Sequence, residues 1–243
     1  MVARRRRDES GTVRTRAYLL FGLVLGCSSD TFVATDAGAT DAGTDVVLDS
    51  SPDASPSLCG AHPSALLCDD FERSAVQGSW ETVEVVGAAN LDVVPGWSGR
   101  AAHATSGGNG AHALLAHKFA AQGSWTLGLD LEISAATTPA TTVVRIESPT
   151  ETVSLEADGA TLGLRITTMS TQTKSLGAFK GIHRVELARS ASELRARIDG
   201  ALVQTVSIEP FAPSALLLRL GAIDGPQASA DSELRFDRVI FSL

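Results

Sequence analysis

The chain has 243 residues, with 20 Lys and Arg against 28 Asp and Glu, a formal net charge of −8, and 44% hydrophobic residues. Nucleic acid and anionic membrane faces attract clustered Lys and Arg. The dense basic cluster, Arg4 to Arg7 with Arg14 and Arg16, stands at the very start, and the rest of the chain is acidic, so neither partner is expected.

That basic start runs into ten apolar or small residues, Ala17 to Gly26, and then Cys27. A positive region, a short apolar run and a small residue before a cut have the organisation of an export signal. Ten residues are too few to span a bilayer, which takes about 20 in a helix. Val24-Leu25-Gly26-Cys27 resembles the bacterial lipobox, with Val24 and Leu25 departing from its commonest form. The resemblance implies cleavage before Cys27 and its acylation with two or more chains, so that the lipid bilayer is a partner. At about 0.8 kcal/mol per buried methylene, one chain holds marginally and two hold stably. Ser28 stands where aspartate is the familiar inner-membrane retention signal, which implies an exported protein anchored to the outer rather than the inner membrane. The alternative is an ordinary secretory signal with an incidental cysteine.

Residues 28 to 58 change composition to Thr-Asp-Ala-Gly near-repeats at Thr35 and Thr40, followed by Ser, Pro and Asp. The stretch holds six aspartates and no Lys or Arg, too little bulk for a core, and reads as a disordered acidic linker. About 31 flexible residues give a root-mean-square reach of roughly 30 Å. The expected organisation is a signal peptide over 1–26, a lipidated cysteine and linker over 27–58, and one globular domain over 59–243.

That domain reads as β almost throughout. Alternating or β-branched runs fall at Thr82 to Val86, Ala111 to Ala116, Trp125 to Ile133, Thr142 to Ile146, Thr152 to Ala157 and Thr161 to Thr167. They continue at Arg184 to Ala188, Leu194 to Ile198, Leu202 to Ile208, Leu216 to Gly221 and Leu234 to Phe241. Asp158-Gly159 and Asp199-Gly200 are hairpin signals, because two-residue turns with positive φ favour Asp-Gly. Short strands at regular spacing predict an all-β, two-sheet sandwich.

Four pieces carry a resemblance: Cys68-Asp-Asp-Phe-Glu72 with Trp80; Gly96-Trp-Ser-Gly-Arg-Ala101; His183-Arg-Val-Glu-Leu187 running to Ala196-Arg-Ile-Asp-Gly200; and Phe236-Asp-Arg-Val-Ile-Phe241. Together they resemble the concanavalin A-like, laminin G-like jelly rolls found on bacterial surface lipoproteins. The resemblance implies two antiparallel sheets, first and last strands side by side, and a surface that often binds glycans.

Cys59 and Cys68 are the cysteines left once Cys27 is lipidated. In an exported chain they are expected to pair, closing a loop worth about 2 to 3 kcal/mol; the alternative is two buried thiols. Alternation places Leu67, Asp69 and Phe71 on one face of the first strand, and Asp237, Val239 and Phe241 on one face of the last. Carboxylates on an apolar side must be paired, hydrogen-bonded or metal-bound. Related jelly rolls hold a structural calcium near this seam, which would draw on Asp69, Asp70 and Asp237. The other reading is a salt bridge to Arg73, Arg235 or Arg238, or a register that turns Asp70 inward.

Glycan binding uses exposed aromatic faces. Trp80 and Trp125 open apolar strands and are expected in the core, which leaves Trp97, in a Pro-Gly-Trp-Ser-Gly loop, as the candidate platform, with turn packing as the alternative. Asp130 and Glu132 share a strand face, as two carboxylates for glycoside hydrolysis would. They lack the third acid of the glycosidase strand motif and read as a solvent-facing pair. Gly96-Trp-Ser-Gly99 lacks the spacing of a nucleophile elbow, and His103, His112 and His117 read as scattered. No catalytic residue is assigned. The expectation is a membrane-anchored, non-catalytic binding module for a glycan or an envelope protein, with a divergent glycan-active hydrolase or lyase, or a purely structural envelope protein, as alternatives.

Overall fold

The computed structural model describes residues 58–136, 140–210, 212–226, 228 and 230–243. The expected export signal, Cys27 and the acidic stretch up to residue 57 lie outside the described residues. A single helical turn, α1 (Leu58–Ala61), precedes β1 (Leu67–Asp69), β2 (Thr82–Val86), β3 (Ala89–Pro95), β4 (Arg100–Ser106), β5 (His112–Gln122), β6 (Trp125–Ala135) and β7 (Thr141–Glu147). The chain continues through β8 (Thr152–Asp158), β9 (Thr161–Thr167), β10 (Thr171–Ala178), β11 (Ile182–Arg189), β12 (Glu193–Ile198), β13 (Ala201–Ser207), β14 (Ser214–Ile223) and β15 (Ser232–Ser242). Among the described residues no helix is long and apolar enough to cross a membrane.

The strands form two antiparallel sheets in a jelly-roll sandwich. One has eight strands in the order β13-β12-β11-β6-β15-β4-β3, with β1 also against β15; the other has seven, β10-β9-β8-β7-β14-β5-β2. The first and last strands are thus hydrogen-bonded neighbours, with Leu67 opposite Phe241.

Period-two alternation explains most of the strands. Leu162, Leu164 and Ile166 of β9 are buried while Thr161 and Arg165 are exposed, and Trp125, Leu127, Leu129 and Leu131 line the inner face of β6. Phe119 of β5 stacks on Phe241 of β15 across the two sheets at 4.1 Å between centroids, and Phe71, just past β1, meets Phe236 of β15 edge-on at 5.7 Å. Trp80 and Trp125 are buried in the same core. Cys59 and Cys68 form a disulfide that ties α1 to β1.

Besides β1, expected from the alternation of Leu67 and Asp69, three strands fall outside the predicted runs. β4 turns the small Ala102 and Ala104 inward, its hairpin partner β3 is only half-buried, and β10 is a polar sheet edge that buries Leu176. Small or polar residues give a weak period-two signal. Both predicted hairpins exist. Asp199 and Gly200, with φ of 51° and 80°, form the two-residue turn from β12 to β13. The other turn is displaced by one residue, since Asp158 pairs with Thr161 and the loop is Gly159-Ala160.

The last strand departs from its expected alternation. Arg238 has φ of 51°, and the register against β6 slips between Asp237, opposite Asp130, and Ile240, opposite Gly128. One extra residue on β15 is a β-bulge, which flips the side chains beyond it to the other face. Phe236, Val239 and Phe241 therefore point into the core, while Asp237 lies on the outer face with Asp130. The expectation that Asp237 shares a face with Val239 and Phe241 is corrected by this bulge.

Candidate functional site

Asp69 is the inward carboxylate at the seam. It sits opposite Val239 and is 1% exposed. Its Oδ1 accepts from the Phe71 amide at 2.9 Å and from Arg73 at 2.6 Å, and its Oδ2 accepts from Arg73 and from the Trp80 indole N–H at 2.7 Å. The carboxylate in turn holds the Arg73 guanidinium above its ordinary value. Asp70 accepts a long local bond from the Glu72 amide. Four donors occupy Asp69, Asp237 lies across the sheet, and among the described residues no group of three His, Cys, Asp or Glu gathers. The residues at the seam do not fit a calcium ion, and the salt bridge to Arg73 is what neutralises Asp69.

On the outer face Asp130 is 6% exposed, held by Arg184 at 3.1 Å and Arg238 at 3.3 Å, so it is not the solvent-facing acid that its strand suggests. Asp237 is fully buried beside it, accepting from the Ser98 hydroxyl and the Arg238 amide, each at 2.6 Å. Burial pushes the Asp237 carboxyl up from its ordinary value; the Ser98 and Arg238 donors pull it back, and the charges of Asp130 and Glu72 add to the rise. Glu132 faces Arg235 at 3.7 Å. A carboxylate doing acid or base work must reach a substrate. Asp130 is clamped and Asp237 sealed, so Asp130 and Glu132 do not compose a hydrolytic pair.

Trp97 occupies the turn between β3 and β4, where the Gly96 amide bonds the Gly99 carbonyl. The side chain is half-buried and its indole N–H is buried without a hydrogen-bond partner, so turn packing takes much of the face that a sugar platform would need. His103 lies between Asp92 and Glu233, His112 beside Glu84, and His117 on the Ser79 carbonyl, three separate places.

Open space lies elsewhere. A cleft of about 950 Å³ opens at one end of the sandwich, between the β7–β8 turn, the β9–β10 turn and the segment leaving β13. Its floor is an inter-sheet ion pair. Val185, Leu187 and Arg189 alternate inward along β11, so the chain drives an arginine between the sheets, where it is 2% exposed. From the opposite sheet, Ser148 braces the turn by accepting from the Glu151 amide at 2.9 Å, and Glu151 meets Arg189 in two parallel bonds of 3.0 Å. Arg189 also donates to the carbonyls of Ser190 and of Glu209. Above this floor stand Thr150, Thr168, Ser170, Gln172 and Ser207, with Met169, Ile208 and Pro210 as the apolar part of the wall. Sequence reading singled out none of these residues. The one signal available was an arginine on the apolar face of a strand, which requires a buried acid as partner.

Compared by sequence, the chain matches no protein-family profile and no curated protein. Compared by structure, it is similar to a chain of botulinum neurotoxin type C, described as entering cells through interaction with two ganglioside molecules (TM-score 0.56, 12% identity, covering 76% of this chain and 49% of that one). It is similar to the binding domain of botulinum neurotoxin DC in complex with SialylT (TM-score 0.52, 12% identity, 74% and 47%). A PL7 alginate lyase from Zobellia galactanivorans matches with a TM-score of 0.50 and 10% identity, over 67% of this chain and 94% of that one. The chain spans about half the length of the neurotoxin chains. At these identities the likeness establishes the jelly-roll fold.

Proposed function

We propose that this protein is a lipid-anchored, non-catalytic jelly-roll module that binds glycan at the end cleft. The observation that carries the reading is the cleft itself: an open volume of about 950 Å³ over a locked Glu151–Arg189 floor, walled by hydroxyls, an amide and an apolar patch. Binding pockets of this size, mostly pre-formed and with a few placed polar groups, suit small polar ligands. Glycan recognition by chains of similar fold, gangliosides and SialylT for the neurotoxins, agrees with it. Acylated Cys27 and the acidic linker would display the module off a membrane surface.

Two experiments test the two halves. A glycan array probed with the full chain in detergent is expected to give signal that Gln172→Ala weakens; silence across the array would sink the binding half. Mass spectrometry of the N-terminus, with and without globomycin, is expected to find diacylglyceryl-modified Cys27, and an unmodified cysteine would end the anchor. A glycoside hydrolase working from the β6 face would need free carboxylates there, whereas Asp130 and Glu132 face arginines.

A further inference from the structure

We infer that the end cleft selects neutral, hydroxyl-rich glycans and rejects acidic ones. This rests on the cleft being the glycan site. Uronate, sialate or sulfate groups are bound by cations whose N–H donors point at the ligand. Among the described residues lining the cleft the one cation is Arg189, and its guanidinium is already spent: Nε and Nη2 are on Glu151, Nη1 is on the Ser190 carbonyl, and Nη2 is also on the Glu209 carbonyl. Turning it toward a ligand would leave Glu151, 7% exposed, as an unpaired buried charge.

The remaining ionic group of the wall has the opposite sign. Glu209 is exposed at the rim, so the lining carries two carboxylates against one neutralised guanidinium. An incoming carboxylate meets repulsion and no compensating donor pair. A neutral sugar meets hydroxyls of Thr150, Thr168, Ser170 and Ser207 and the amide of Gln172, groups that both donate and accept. Met169, fully exposed on the β9–β10 turn, offers a polarizable apolar surface to the C–H face of a ring, in a chain whose tryptophans are buried or half-buried.

The test uses the full chain in detergent against three probe classes on one scaffold length: neutral hexose and N-acetylhexosamine oligosaccharides, polyuronates, and sialylated oligosaccharides, read by calorimetry. Neutral probes are expected to bind at least about tenfold tighter than acidic ones, roughly 1.4 kcal/mol. Their affinity should change less than about twofold between about 0.05 M and about 0.5 M salt, because no ion pair is made. Glu209→Lys places a cation at the rim and leaves the backbone carbonyl that Arg189 uses, so it should improve binding of acidic probes by about tenfold. Met169→Glu, at an exposed turn, should weaken neutral probes about tenfold. Acidic probes binding the unaltered chain tighter than neutral ones would overturn the inference while leaving glycan binding in place; no binding to any class would overturn the glycan reading itself.

Discussion

At the β1–β15 seam and at the end cleft alike, a carboxylate is taken out of water and held by an arginine. Around Asp69 the space is closed: Arg73 folds back from four residues later, the Trp80 indole N–H caps Oδ2, and the disulfide clamps the strand from behind. Around Glu151 the pair joins the two sheets, and the volume above it stays open. The chemistry of the two pairs is alike. What separates a staple from a site floor is the room beside it, which is set by the turns rather than by the charged residues.

Asp69→Ala should give the largest effect, a loss of about 4 kcal/mol in urea unfolding, because the Trp80 N–H and Arg73 lose their acceptor together; glycan binding of the folded fraction should be unchanged. Reducing Cys59–Cys68, or replacing both with Ser, should cost about 2.5 kcal/mol by loop entropy, again without touching the cleft. Glu151→Gln keeps one acceptor for Arg189 and should cost about 2 kcal/mol, but here glycan affinity should fall as well, since the floor moves. A Glu151 variant that binds normally would make the cleft's floor as purely structural as the seam.

The smallest effect sharpens the picture of the outer face. Asp237 has a folded value above that of the unfolded chain, so the native state keeps its proton longer. The stability it contributes is full below the unfolded value and is lost as the pH rises through the folded one. Asp237→Asn should therefore flatten the fall in stability as the pH rises above about 4, with a change of about 1 kcal/mol or less at neutrality. Melting temperatures across that range would read it.

Much of the fold was legible because most strands are written in period two with bulky inner residues, as in Thr161 to Thr167, and because Asp199-Gly200 can scarcely be anything but a tight turn. The salt bridge of Asp69 was also open to reading, since a carboxylate on an apolar face must find a partner and Arg73 lies four residues on. Less could be read where the local pattern carries no mark. The Arg238 bulge has no glycine to announce it, yet it moves Asp237 to the opposite face.

From the sequence by itself came the all-β sandwich, the pairing of Cys59 with Cys68, the inward tryptophans Trp80 and Trp125, and the reasons to expect export and a lipid anchor at Cys27. Tertiary structure alone decided which carboxylates meet which arginines and where space remains. Glu151 and Arg189 are 38 positions apart and come from different sheets, and no local pattern encodes a cleft, because its walls are turns brought together only when both sheets have closed over the core.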